Sequence, residues 1–167
     1  MEAPHQALKT FALAVPALLW TQSVWAESGS YEMLYGFLTN YTKLEQPGRT
    51  ITAGSISGTQ TVLKSSGGPF VEGANNVTEC LVWAKRTDNS IDVESYCTSS
   101  YPSGDKLFTW GQRKQGDMNI GGGGAGKLQI LGGTGQFVDL TGSCSYKTNY
   151  LPGSHVVNHL DCKWQRP

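Results

Sequence analysis

At 167 residues the chain is one domain's worth, long enough to bury a core of its own. Lysine plus arginine equals aspartate plus glutamate at 13 each, so no bulk field draws it to nucleic acid or to an anionic membrane surface. Charged residues are 16% and glycines number 21, a balance that favours strands and turns over helices.

Residues 1–26 read as a secretory signal peptide. Lys9 supplies the positive start, Phe11 to Trp20 is apolar, and Val24-Trp25-Ala26 sets up cleavage before Glu27. An apolar run of about ten residues is too short for a bilayer, which takes about 20. A single mature domain over residues 27–167 is expected, secreted or periplasmic, with no stable membrane insertion once the signal is removed.

Tyr31, Met33, Tyr35 and Phe37 share a face at period two, although the same run also fits a short helix. Gln46-Pro47-Gly48 turns the chain into a long strand from Thr50 to Lys64, where interior Gly54 and Gly58 suggest bulges. A loop over residues 65–76 follows. The next hairpin pairs Thr78 to Thr87 with Ser90 to Ser99. One of its faces holds Cys80, Val82, Ala84, Ile91, Val93 and Cys97; the other holds Glu79, Leu81, Trp83, Lys85, Asp92, Glu94 and Tyr96. Both faces carry apolar groups, so alternation leaves open which one lines the interior. Lys106 to Arg113 is a further strand, residues 115–126 a glycine-rich loop, and Lys127 to Leu131 a short strand. The last hairpin, Gly142 to Tyr150 against Val156 to Gln165, alternates most cleanly.

The four cysteines are even in number and lie after the leader, as a disulfide framework requires. A two-residue turn at Asp88-Asn89 sets Cys80 opposite Cys97, and a turn about Gly153 sets Cys144 opposite Cys162. Two independent registers thus each land on a cysteine pair. A zinc site lacks the short cysteine spacing it needs.

Several apparent motifs dissolve on inspection. Gly121 to Lys127 fits the phosphate-cradling pattern G-x-x-x-x-G-K, but Leu128 stands where Ser or Thr would hold magnesium and a strand follows instead of a helix. His155 and His159, four apart on a strand, lie about 13 Å from each other and do not share a metal. No metal or cofactor is called for. Asn40 and Asn76 open glycosylation sequons, which matter only in a eukaryotic host.

Gly132-Gly133-Thr134-Gly135-Gln136-Phe137-Val138-Asp139-Leu140-Thr141-Gly142 resembles the G-G-T-G-[KQ]-[FY]-x-x-[ILV]-x-G segment of allene oxide cyclase-like barrels and their small secreted bacterial relatives. Gly68-Pro69-Phe70, Cys80, Cys97, Gly104-Asp105-Lys106 and Trp110 follow those proteins' order of landmarks, over residues 68–165. The resemblance implies a calycin-like antiparallel barrel of eight strands with a central cavity. Relatives often carry an acidic D-x-D-G-D run after the second cysteine; here only Asp105 remains, so a complete cation site at that turn is not implied. Plant allene oxide cyclases isomerise an epoxide with a few polar lumen groups, a constellation that cannot be placed on this chain residue by residue.

The residues themselves also add up to about eight antiparallel strands, which lose their edges by closing into a barrel. The expected fold is therefore an all-β, eight-stranded antiparallel barrel stapled by disulfides. The leading expectation for its function is binding of a small apolar or amphipathic molecule in the lumen, through Trp83, Tyr96, Trp110 and Glu79. A second, from another class, is a cofactor-free isomerase or cyclase with Glu94 as acid/base, its carboxylate desolvated among aromatics. A third is a filled barrel acting through its surface as an envelope or interaction protein. The sequence sets no oligomeric state.

Overall fold

The structure, a computed structural model, describes residues 26–167. The expected signal peptide lies outside the described residues apart from Ala26. Strands β1 (Glu27–Gln46), β2 (Arg49–Ser65), β3 (Asn75–Thr87), β4 (Ile91–Ser100), β5 (Lys106–Arg113), β6 (Gly123–Gly133), β7 (Thr141–Tyr150) and β8 (His155–Arg166) pair in chain order, and β8 closes on β1. Every neighbouring pair is antiparallel. Closure leaves the sheet without a free edge, and this is the all-β barrel expected from the spacing of the strands.

The run from Tyr31 takes the strand alternative. Tyr31, Met33, Tyr35 and Phe37 are all buried, while Leu34, Gly36 and Leu38 face out. A helix would have split this stripe over two faces. Both disulfides form as the hairpin registers require, Cys80 pairing with Cys97 and Cys144 with Cys162, each across 4.0 Å between Cα atoms.

Two local expectations are corrected. Gly54 and Gly58 are not bulges: the β1–β2 register runs unbroken past both and slips instead between Glu32 and Met33. Their role is spatial, because a Cβ on Gly54 would overlap the carbonyl of Asn40, and one on Gly58 that of Gly36. The end of the glycine-rich run, Gly123 to Gly126, is not loop but the start of β6, paired with Asn149 to Tyr146 of β7.

The two ends of the barrel differ. At one, the connections over residues 66–74, 101–105 and 134–140 fold inward. Phe70 stacks on Tyr31 at 3.7 Å between centroids, and Phe137 packs against Tyr101 at 4.5 Å and against Phe70 at 5.8 Å. Phe137 and Leu140, carried by the corner that follows Gly132-Gly133, are fully buried. Gly132 sits at φ 104°, a backbone region that other residues rarely adopt. This end is an aromatic plug. Just inside it, the Asn76 side chain is buried and accepts a bond from Gln60, so the folded barrel offers no glycan acceptor there; Asn40 is exposed.

Candidate functional site

The hairpin of β3 and β4 turns the Cys80, Val82, Ala84, Ile91 and Val93 face inward. Glu79, Trp83, Glu94 and Tyr96 therefore lie on the outer wall, with Tyr96 60% exposed and Trp83 43% exposed. Trp110 lies opposite Tyr96 and also faces out, because β5 directs Leu107, Thr109, Gly111 and Arg113 inward. This corrects the placement of all five side chains in the lumen. The physical reason is volume: the smaller, aliphatic face fits inside the closed wall, and the bulkier face with its charges keeps its contact with water.

On the outer wall those residues form a surface, not a pocket. Glu94 is half-buried and accepts a 3.4 Å bond from Gln112. Trp110 alone of the five lines a hollow, an open one of about 1050 Å³ that also takes in Gln112, Lys127 and Lys163. Nearby, Glu32, His159 and Asp161 bring ligand-type atoms within 4.8 Å of one another, but Lys64 already holds Glu32 at 2.8 Å. Replacing Glu94 by Gln is expected to change stability by no more than about 0.5 kcal/mol and to leave any lumen ligand bound as before. Thermal melts and a ligand titration of the variant check this; a tenfold or greater loss of affinity would move the site to the outer wall.

The lumen narrows to a cavity of about 50 Å³ at the end away from the plug, room for a few water molecules or one small head group. Its apolar wall includes Tyr35, Phe37, Ile56, Val82 and Leu160; its polar groups are Ser95, Arg113, Tyr41, Tyr146, Tyr150, Thr148 and Asn158. Arg113 ends β5 and is 2% exposed. Its Nη1 donates to the carbonyls of Gln115 at 2.7 Å and Gly123 at 3.3 Å, and its Nη2 donates to the Tyr150 hydroxyl at 3.3 Å. The guanidinium also lies 5.8 Å from the centre of the Tyr150 ring. Among the described residues no carboxylate pairs with it. Asn158, on β8, leaves its Oδ1 buried without a partner on the same cavity.

Sequence reasoning missed this cluster, although the glycine run that appeared empty of chemistry is part of it. A Cβ on Gly126 would overlap the Tyr146 ring, and one on Gly124 would crowd Arg113. These glycines make room for the polar side chains. A lone arginine closing an inward-facing stripe (Leu107, Thr109, Gly111, Arg113) was the available signal.

Burial pushes the Tyr146 phenol up to about 12, opposed by the positive charge of Arg113. Tyr41 and Tyr150 are raised by burial as well, with the Arg113 charge again opposing. Burial likewise raises Tyr31, Tyr35 and Tyr101 in the rest of the interior. A phenol whose folded value exceeds its unfolded value of about 10 favours the fold below pH 10, and that contribution is lost as pH rises through the folded value. For Tyr146 the window runs from about 10 to about 12. The barrel is therefore expected to unfold cooperatively in alkali above about pH 10, with phenolate absorbance and near-ultraviolet dichroism changing in one step. Ionisation of these phenols with the dichroism intact would refute it.

Comparison with known proteins adds little beyond this geometry. No family model and no curated protein matches the chain. A solved structure of a pterocarpan synthase dirigent protein is similar, at 14% identity and a TM-score of 0.45, over 93% of this chain and 97% of that one. That likeness is too distant to carry an argument about site or activity.

Proposed function

We propose that the chain is an exported barrel, signal peptide 1–26 and barrel domain 27–167, whose lumen binds a small amphipathic molecule at the Arg113 end. The observation that carries this reading is the buried Arg113 beside a cavity of about 50 Å³, with three tyrosines and an unpartnered Asn158 oxygen around it. Burying a charge without an opposite charge is costly, and such groups concentrate at binding sites. Two disulfides suit an oxidising compartment, and among the described residues no helix is long and apolar enough to cross a membrane. The glycine corner motif and the closed antiparallel wall support the allene oxide cyclase-like, calycin-like label for the fold. A cyclase activity would have to use Arg113 and the tyrosines, because Glu94 lies outside the lumen.

The small size of the cavity favours a second reading, a filled barrel that acts through its outer wall. Leu81, Tyr96, Trp83 and Phe108 are exposed there on adjacent strands, an apolar surface of the kind that marks interaction sites. Native mass spectrometry of protein purified from its source separates the two. A co-purifying small molecule that is lost on denaturation supports the lumen reading; a complex with a protein partner in which the barrel carries no small molecule supports the other.

A further inference from the structure

The polar groups of the lumen are specific about the charge they await. Of the five N–H groups on an arginine, Arg113 directs both on Nη1 to backbone carbonyls and one on Nη2 to Tyr150. Those three bonds leave Nε and the second N–H of Nη2, one planar edge of the guanidinium that only the Tyr146 hydroxyl approaches, a group free to turn and donate to the same ligand. We infer that this edge binds the carboxylate of a small organic acid whose body extends toward the mouth beside Ile120 and Leu151. The inference rests on the lumen reading given above and assigns the class of ligand to it.

Three features select a carboxylate. Two parallel N–H groups match the planar pair of carboxylate oxygens, the geometry in which arginine binds most strongly. One guanidinium neutralises one negative charge, whereas a phosphate dianion would be left half compensated in an apolar wall. The cavity admits a head group and no more, so the remainder of the molecule must occupy the mouth. There Ile120 is 70% exposed and Leu151 42% exposed, each next in sequence to one end of the bond from the Gly121 N–H to the Tyr150 carbonyl. Tyr146 and Tyr150 stay protonated at neutral pH and add no competing charge.

The test is a titration of the disulfide-intact protein with benzoate, benzamide and inorganic phosphate, followed by two-dimensional amide NMR. Benzoate is expected to shift the signals of Arg113, Tyr146 and Tyr150 and to bind roughly tenfold or more tighter than benzamide. Equal binding of the acid and the amide overturns the carboxylate inference and leaves the lumen reading standing. No shift with either overturns the lumen reading too, and makes Arg113 a structural tie between β5 and the connection over residues 114–122. Tighter binding of phosphate than of benzoate overturns the inference in favour of a compact oxyanion site. Arg113→Lys keeps the charge without the planar fork and is expected to lose benzoate binding by roughly tenfold or more. The benzoate–benzamide contrast in the native sequence decides the matter even where that variant does not fold.

Discussion

Removing both disulfides is expected to unfold the barrel at physiological temperature. Cys80 and Cys97 are 17 residues apart, Cys144 and Cys162 18 apart. A loop of about 15 residues loses about 3 kcal/mol of unfolded-state entropy when it is cross-linked, so the two bridges together contribute about 6 kcal/mol. That is on the order of the whole stability of an ordinary domain, about 5–15 kcal/mol. The two bridges staple different hairpins on different parts of the wall, so their effects should add. The Cys144–Cys162 bridge lies against the plugged end, where the Tyr31 hydroxyl sits 3.9 Å from the Cys144 sulfur, and its loss should loosen that packing as well. Melts of Cys80→Ala/Cys97→Ala, of Cys144→Ala/Cys162→Ala and of the fully reduced protein check this. A reduced protein melting within a few degrees of the oxidised one would show that the hairpins need no staple.

Phe137→Ala is expected to cost about 3–5 kcal/mol, the usual loss for a fully buried aromatic. Its ring is completely buried between Tyr101 and Phe70, and Phe70 in turn stacks on Tyr31. The cavity left behind would lie under connections that backbone bonds tie to the wall, from Gly73 to Val62 and from Thr134 to Lys106, so little of it can collapse. The neighbouring Val138 is 50% exposed, and Val138→Ala is expected to change stability by no more than about 0.5 kcal/mol. Denaturant melts of the two variants make the comparison; equal, small effects would mean that the plug is ornamental and the wall stands alone.

Much of the wall was legible because its information is local. A two-residue turn at Asp88-Asn89 sets every pair in the β3–β4 ladder, Lys85 facing Asp92 and Trp83 facing Glu94, and the same logic holds from Tyr150 opposite Val156 to Cys144 opposite Cys162. The tight turn fixes the register, and the register fixes the bridges. The beginning of β6 is not legible, because glycines carry no pattern of burial and a paired stretch of them looks like a loop.

The site was legible only in part, for a different reason. The four side chains at its centre come from three strands: Tyr41 from β1, Arg113 from β5, Tyr146 and Tyr150 from β7. Arg113 and Tyr150 are 37 positions apart, and no turn or repeat relates them. The acids and aromatics that stand out in the sequence, Glu79, Trp83, Glu94, Tyr96 and Trp110, lie on neighbouring strands of one wall, and their side chains are on its outer face.

Interactions between near neighbours along the chain set most of the strands, the two hairpin registers with their disulfides and the turn that carries Phe137, but neither the strand form of the Tyr31 run nor the glycine start of β6. Only the tertiary structure decided which face of each strand is inside. Period-two alternation sorts side chains into two sets, and when both sets contain apolar groups the choice between them waits for the ring to close and for volume to select the set that fits. Closure also brings Arg113 under the tyrosines of a distant strand, making a short polar site from residues that have no relation in sequence.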